Sequence, residues 1–253
     1  VLARLQFSRF KDKYKGQSAI LFATGPSLEK FSWPVLPERP DILVGVNQAI
    51  FRDDLAFDHY WCSHFYYENA DGSLDGPEAF LDKIVERSAD MQVFCGTTVE
   101  GAPFYKHFSS KHASRMNAIE YDTLDDGGRA ELFTADPSRE PFHQMTIVFP
   151  PLQFLMYAGV KRIYLVGCDC GGETGAGGGV KTPPLWHGLT YNNVIKRPES
   201  LGDVKEWLHR IATEDWVEFA KFSKQHYPDV EFISVNPLNL VGLFTDIHAS
   251  DNQ

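Results

Sequence analysis

The stretch Ser18-Ala19-Ile20-Leu21-Phe22-Ala23-Thr24-Gly25-Pro26-Ser27-Leu28 decides the fold. Its first six residues form a short continuous apolar run. That is the pattern of a strand covered on both faces, as in a parallel sheet. The run stops at Thr24-Gly25-Pro26-Ser27, a turn with useful chemistry. Gly25 lets the backbone approach a ligand closely, Pro26 presets the start of a helix, and Ser27 sets a hydroxyl beside free N–H groups. The spacing is neither that of a Walker A loop nor that of a G-x-G-x-x-G fingerprint, and an ordinary strand-to-helix turn explains the same residues.

Working outward, similar runs occur at Asp41–Asn47, Phe57–Cys62, Met91–Cys95, Arg162–Gly167 and Glu231–Val235. Helical patterns fall between them at Pro77–Ser88, Thr146–Ala158 and Trp207–Gln225, the last with Trp216, Phe219 and Phe222 at three-residue spacing. Apolar residues at 2, 5, 7 and 10, set among basic ones, predict an N-terminal amphipathic helix within residues 1–15, closed by Lys15-Gly16. Asp122–Arg139 reads as a polar loop. Six glycines lie between 171 and 179, which predicts a lid over residues 170–200. The alternation of strands and helices predicts one α/β domain over residues 1–253. Its sheet should be Rossmann-like and mainly parallel, with helices on both faces.

Composition narrows the function. With 24 basic and 34 acidic residues the formal charge is −10, which disfavours a nucleic-acid partner. Four cysteines, Cys62, Cys95, Cys168 and Cys170, are too few and too scattered for a disulfide framework, so a reduced, cytoplasmic protein is expected. The most apolar stretch, Met145–Val160, is interrupted by Pro150, Pro151 and Gln153. It falls short of the ~20 residues a spanning helix needs, leaving peripheral attachment at the inner membrane open.

In an open α/β sheet, ligands bind beyond the carboxyl ends of the strands. Asn47-Gln48 ends the second run, and two carboxamides there can read a base or sugar edge. A capping Asn explains position 47 by itself; convergence with Gly25 on one crevice favours a ligand. Cys168-Asp169-Cys170 brings only two cysteines together on a strand, and the histidine pairs 59/64 and 107/112 are five apart, off the spacing that clamps a metal from one helix, so no metal site is expected. Trp61, Tyr66 and Tyr67 suit stacking on a base or packing in a core.

Several islands resemble a known family. They are Lys13-Tyr14-Lys15-Gly16, Thr24-Gly25-Pro26-Ser27-Leu28, Val46-Asn47-Gln48, Gly159–Asp169 and Val235-Asn236-Pro237-Leu238-Asn239-Leu240. Together they look like the bacterial sialyltransferases of glycosyltransferase family 42. They are also similar to the broader DUF115 group, which includes the Maf flagellin glycosyltransferases and the archaeal 6-hydroxymethylpterin diphosphokinases. The resemblance implies a GT-A-like variant of the fold and metal-independent transfer from a nucleotide-activated sugar, CMP-linked in the sialyltransferases, with no further cofactor. The acceptor would be a glycan, a lipid-linked sugar or a protein, and a homo-oligomer stays open.

Carried over, the resemblance places Gly25, Pro26 and Ser27 against the donor nucleotide, Asn47 on the donor and Asp169 at a strand end lining the crevice, and offers His209, or else His187 in the lid, as the base. Thr24, Gln48, Ser63 and Thr146 complete the expected substrate-binding set. A neutral imidazole suits removal of an acceptor proton. Departures accompany the matches. Thr24 replaces an asparagine, Gly171 and Gly177 stand where the sialyltransferases put two tyrosines on the leaving phosphate, and Thr146-Ile147-Val148 replaces a T-S-G run. A pterin diphosphokinase would hold ATP through Mg²⁺ on carboxylates at the second and third strand ends, where Asn47-Gln48 and Cys62-Ser63-His64 stand instead. A non-catalytic nucleotide- or sugar-binding domain is the third reading.

Overall fold

The structure is a computed structural model. It describes residues 2–25, 27–28, 31–67, 77–99, 105–108, 110–124, 133–143, 146–168, 214–237 and 240–248. Strands in chain order are β1 (Ser18–Phe22), β2 (Ile42–Val46), β3 (His59–Cys62), β4 (His64–Tyr67), β5 (Gln92–Val99), β6 (Tyr105–His107), β7 (Ile119–Leu124), β8 (Phe142–His143), β9 (Arg162–Val166), β10 (Glu231–Val235) and β11 (Thr245–Ile247). Helices are α1 (Leu2–Leu5), α2 (Pro77–Arg87), α3 (Ser110–Arg115), α4 (Phe149–Tyr157) and α5 (Trp216–His226).

Among the described residues nine strands form one sheet in the order β11-β10-β9-β1-β2-β3-β5-β7-β8, every pairing parallel. A separate antiparallel ribbon joins β4 to β6. The fold is therefore α/β and Rossmann-like. From β1 the chain builds outward through β2 to β8, then returns to the other side of β1 with β9. That reversal is the topological switch point, and the crevice it opens lies at the carboxyl ends of β1 and β9.

Burial on both faces explains the unbroken apolar runs. Ala19, Leu21, Val44 and Leu165 face one core, whereas Ile20, Phe22, Leu43 and Val166 face the other. The first core is aromatic: Trp61 stacks on Phe94 at 4.2 Å, ringed by Phe7, Phe142 and Phe154. It is closed by the N-terminal segment, by α4, whose nine residues are all buried, and by Trp216 and Phe219 of α5. The second core is closed by Phe80, Leu81 and Ile84 of α2, by Ala113 of α3, and by Ala49 and Ile50.

Two expectations need correction. The N-terminal segment is not one helix: α1 tightens into a 3-10 turn over Gln6–Phe10, followed by turns through Gly16. This wedges Phe7 and Phe10 under the sheet and leaves Leu5 56% exposed, because 3-10 and α pitch present different faces. Nor is the region from Asp122 all loop: Asp122–Leu124 complete β7, and Phe133 and Thr134 are buried. Thr134 is held there by its N–H donating to Gln153 Oε1 at 2.8 Å.

Candidate functional site

The site is built from the turns that follow β1, β2 and β9. Past β1 the ladder continues: Ala23 N–H donates to the Val166 carbonyl at 2.8 Å and Gly25 N–H to the Gly167 carbonyl at 2.8 Å. The two connecting turns therefore lie backbone against backbone. A side chain on Gly167 would put its Cβ 2.7 Å from the Ala23 oxygen, and Gly167 also has φ +71°. Glycine is required there on both counts. Thr24 and Gly25 are half-buried on this rim. Ser27 is buried, and the Leu28 N–H closes the turn on the Gly25 carbonyl at 3.0 Å.

Past β2, Asn47 heads a 3-10 turn over Asn47–Phe51 with φ +44°, a left-handed conformation that Asn tolerates better than most residues. Its carbonyl accepts the Tyr60 hydroxyl at 2.5 Å, which pins the turn to the sheet. Its side chain is only 7% exposed, yet Oδ1 has no hydrogen-bond partner among the described residues. A buried acceptor left unmatched costs about 1–3 kcal/mol, so such a group stands out in a native fold. Gln48 is the second residue of the same turn.

The remaining substrate-binding expectations divide. Ser63 follows β3, two strands away from the switch point. It is fully buried, packs against Gly96 and meets the Tyr121 hydroxyl, which makes it a packing residue rather than part of the crevice wall. Thr146 is half-buried just before α4, and its carbonyl accepts the Phe149 N–H at 3.1 Å. Pro150 and Pro151 in the first turn of α4 carry no N–H, so this helix start is a weak anion cradle. Pro26, Asp169, His187, His209, Gly171, Gly177 and the lid at 170–200 lie outside the described residues.

The sequence reading missed a second left-handed strand end. Asn236, immediately past β10, has φ +50°, and its N–H donates to the Ile247 carbonyl at 2.8 Å. The signal was available: Val46-Asn47 and Val235-Asn236 end their strands with the same dipeptide. Also missed was Asp215, 1% exposed at the start of α5.

One histidine lies at the other edge of the sheet. His59 opens β3, its Nε2 2.7 Å from the Tyr14 hydroxyl. Burial, with the nearby Lys13 charge, pushes its pKa down to about 4, and burial with the Asp58 charge pushes Tyr14 up to about 12. Both therefore stay neutral near pH 7, at the amino edge and away from the crevice. Among the described residues no group of three His, Cys, Asp or Glu side chains is arranged for a metal ion.

No protein-family model matches the chain, and no curated protein sequence matches it.

Proposed function

We propose that this chain binds a nucleotide-activated sugar across the crevice between the β1 and β9 turns, and that it transfers the sugar to an acceptor hydroxyl with inversion and without a metal. The observation that carries the reading is the Asn47 side chain, buried one strand from the switch point with an oxygen that no described residue satisfies. A base amide or sugar hydroxyl is the kind of donor that oxygen accepts. Gly25, half-buried on the rim and without a side chain, suits close approach of a phosphate or ribose. The glycosyl-transfer part rests on the sequence islands, with His209 or His187 taking the acceptor proton as the anomeric bond to the leaving nucleotide breaks. Thr146 and Asp169 would border the donor. The acceptor class is a glycan, a lipid-linked sugar or a protein.

The test is a thermal-shift and calorimetric comparison of CMP, UDP, GDP and ATP, each with and without Mg²⁺. Metal-independent binding of one nucleotide, weakened roughly 2- to 12-fold in Asn47→Gly by loss of one neutral hydrogen bond, is the expected result. An ATP response that requires Mg²⁺ would replace this reading with the diphosphokinase one. Binding without turnover of any sugar nucleotide would leave a non-catalytic domain, and binding of none would overturn the crevice assignment.

A further inference from the structure

The amino edge of the sheet carries a feature that the crevice does not use. In a chain of net charge −10, residues 2–17 hold five basic side chains and one acidic one, Asp12. Arg4 is paired with Asp122 at 3.0 Å. Arg9, Lys11, Lys13 and Lys15 are all exposed, and none has a carboxylate partner among the described residues. Nearby acids are engaged: Glu38 and Glu231 both hold Arg162, and Asp41 accepts from the Ser18 N–H and hydroxyl.

The cations are also held close together. The Arg9 and Lys13 heads each sit 5.0 Å from the centroid of the Phe10 ring, and Lys13 is 5.2 Å from that of Tyr14. The segment is tied to the body by the Asp12, Tyr14 and Gly16 N–H groups, which donate to the Tyr157, Ala158 and Gly159 carbonyls at 3.2, 2.7 and 3.0 Å. Lys161, exposed and also without a carboxylate partner among the described residues, adjoins it through its own N–H to the Gln17 carbonyl at 2.8 Å.

We propose that this rigid basic edge docks the protein on a bilayer of anionic phospholipid. Charge complementarity argues for it: unpaired cations clustered on an otherwise acidic chain. A nucleic acid fits less well, since Phe7 and Phe10 are buried, Tyr14 is bound to His59, and no ring of this segment is left for base stacking. No helix among the described residues is long and apolar enough to cross a membrane, so the attachment is peripheral. Docking by this edge leaves the carboxyl-edge crevice facing away from the lipid, and the proposal does not depend on what that crevice binds.

The experiment is co-sedimentation of the full chain with phosphatidylcholine vesicles, and with vesicles containing about 30% phosphatidylglycerol, at low and at roughly 0.5 M salt. Binding to the anionic vesicles alone, lost at high salt, is expected. Each cation near such a surface raises partitioning about fivefold. The combined Arg9→Gln, Lys11→Gln, Lys13→Gln, Lys15→Gln variant should therefore lose on the order of a hundredfold or more. A control variant that neutralises Lys111, Arg115, Lys221 and Lys224 has the same total charge and should bind as the wild type does; circular dichroism verifies that both fold. Equal loss in the two variants, no vesicle binding by the wild type, or tighter binding to duplex DNA than to the anionic vesicles would each overturn the proposal.

Discussion

Gly167→Ala is the sharpest perturbation of the site, because the fold supplies its own control. At position 167 the added Cβ meets the Ala23 oxygen at 2.7 Å and the Ala23 carbonyl carbon at 3.0 Å, with φ at +71°. Both neighbours are backbone, so relief requires the β1 and β9 turns to separate. Gly16 has φ +81°, but a Cβ added there would meet nothing within 4 Å. The left-handed conformation alone costs an alanine roughly 1–2 kcal/mol, and Gly16→Ala should lose that much and no more. Gly167→Ala adds the disruption of two backbone hydrogen bonds, Ala23 to Val166 and Gly25 to Gly167, at about 0.5–1.5 kcal/mol each. The expected loss is then about 2–5 kcal/mol, read as the difference in urea unfolding free energy. Nucleotide binding should fall in Gly167→Ala and survive in Gly16→Ala. Equal stability losses in the two variants would refute the close approach of the turns, and with it the crevice floor.

Other outcomes follow from single groups. Asn47→Gly keeps the left-handed turn while removing the orphaned oxygen, so stability should hold within about 1 kcal/mol as nucleotide affinity falls; a large stability loss would show the side chain to be structural. His59 has its pKa depressed to about 4, so the unfolded chain binds its proton first. Stability is therefore complete above about pH 6.5 and drains away as pH falls toward 4. Between pH 7.5 and 4.5 the wild type should lose about 2.5 kcal/mol more than His59→Phe, and parallel pH profiles of unfolding free energy would contradict a neutral buried imidazole. Gln153→Ala strips the buried Thr134 N–H of its acceptor and should cost about 1–3 kcal/mol by chemical denaturation, whereas a neutral result would mean that N–H finds another partner.

The central strands were legible because burial on both faces leaves an unbroken apolar run, as in Ile42-Leu43-Val44 and Ile163-Tyr164-Leu165-Val166. The edges were not. β7 reads Ile119-Glu120-Tyr121-Asp122-Thr123-Leu124, alternating and polar, and its Asp122 pairs with an arginine 118 residues away in sequence, a contact no local pattern reveals. β8 and β11, of two and three residues, are too short for a periodic signal and exist because a neighbouring strand offers its free edge. At the site, Gly25 and Asn47 could be picked out from their positions after apolar runs. Ser63, also expected to bind substrate, follows β3, where the strand end is packed against β5 and β7.

That contrast says what a strand end must have before it counts toward a binding site. Among the described residues four non-glycine residues adopt positive φ: Asp12, Asn47, Asn117 and Asn236. Asp12 and Asn117 lie on segments leading into β1 and β7, at the amino edge, where the same conformation merely reverses the chain. Asn236 is also at the carboxyl edge, past β10 on the far side of β9, and there its N–H donates to the Ile247 carbonyl and ties the turn to β11. Asn47 alone of the four combines the carboxyl edge, a strand adjoining β1, and a buried side-chain oxygen that the fold leaves unmatched. Backbone strain is thus shared by turns of every kind, whereas an unsatisfied buried acceptor is a cost that a ligand's donor can offset. The proposed binding function therefore rests on that oxygen, and the left-handed turn is the means by which β2 presents it.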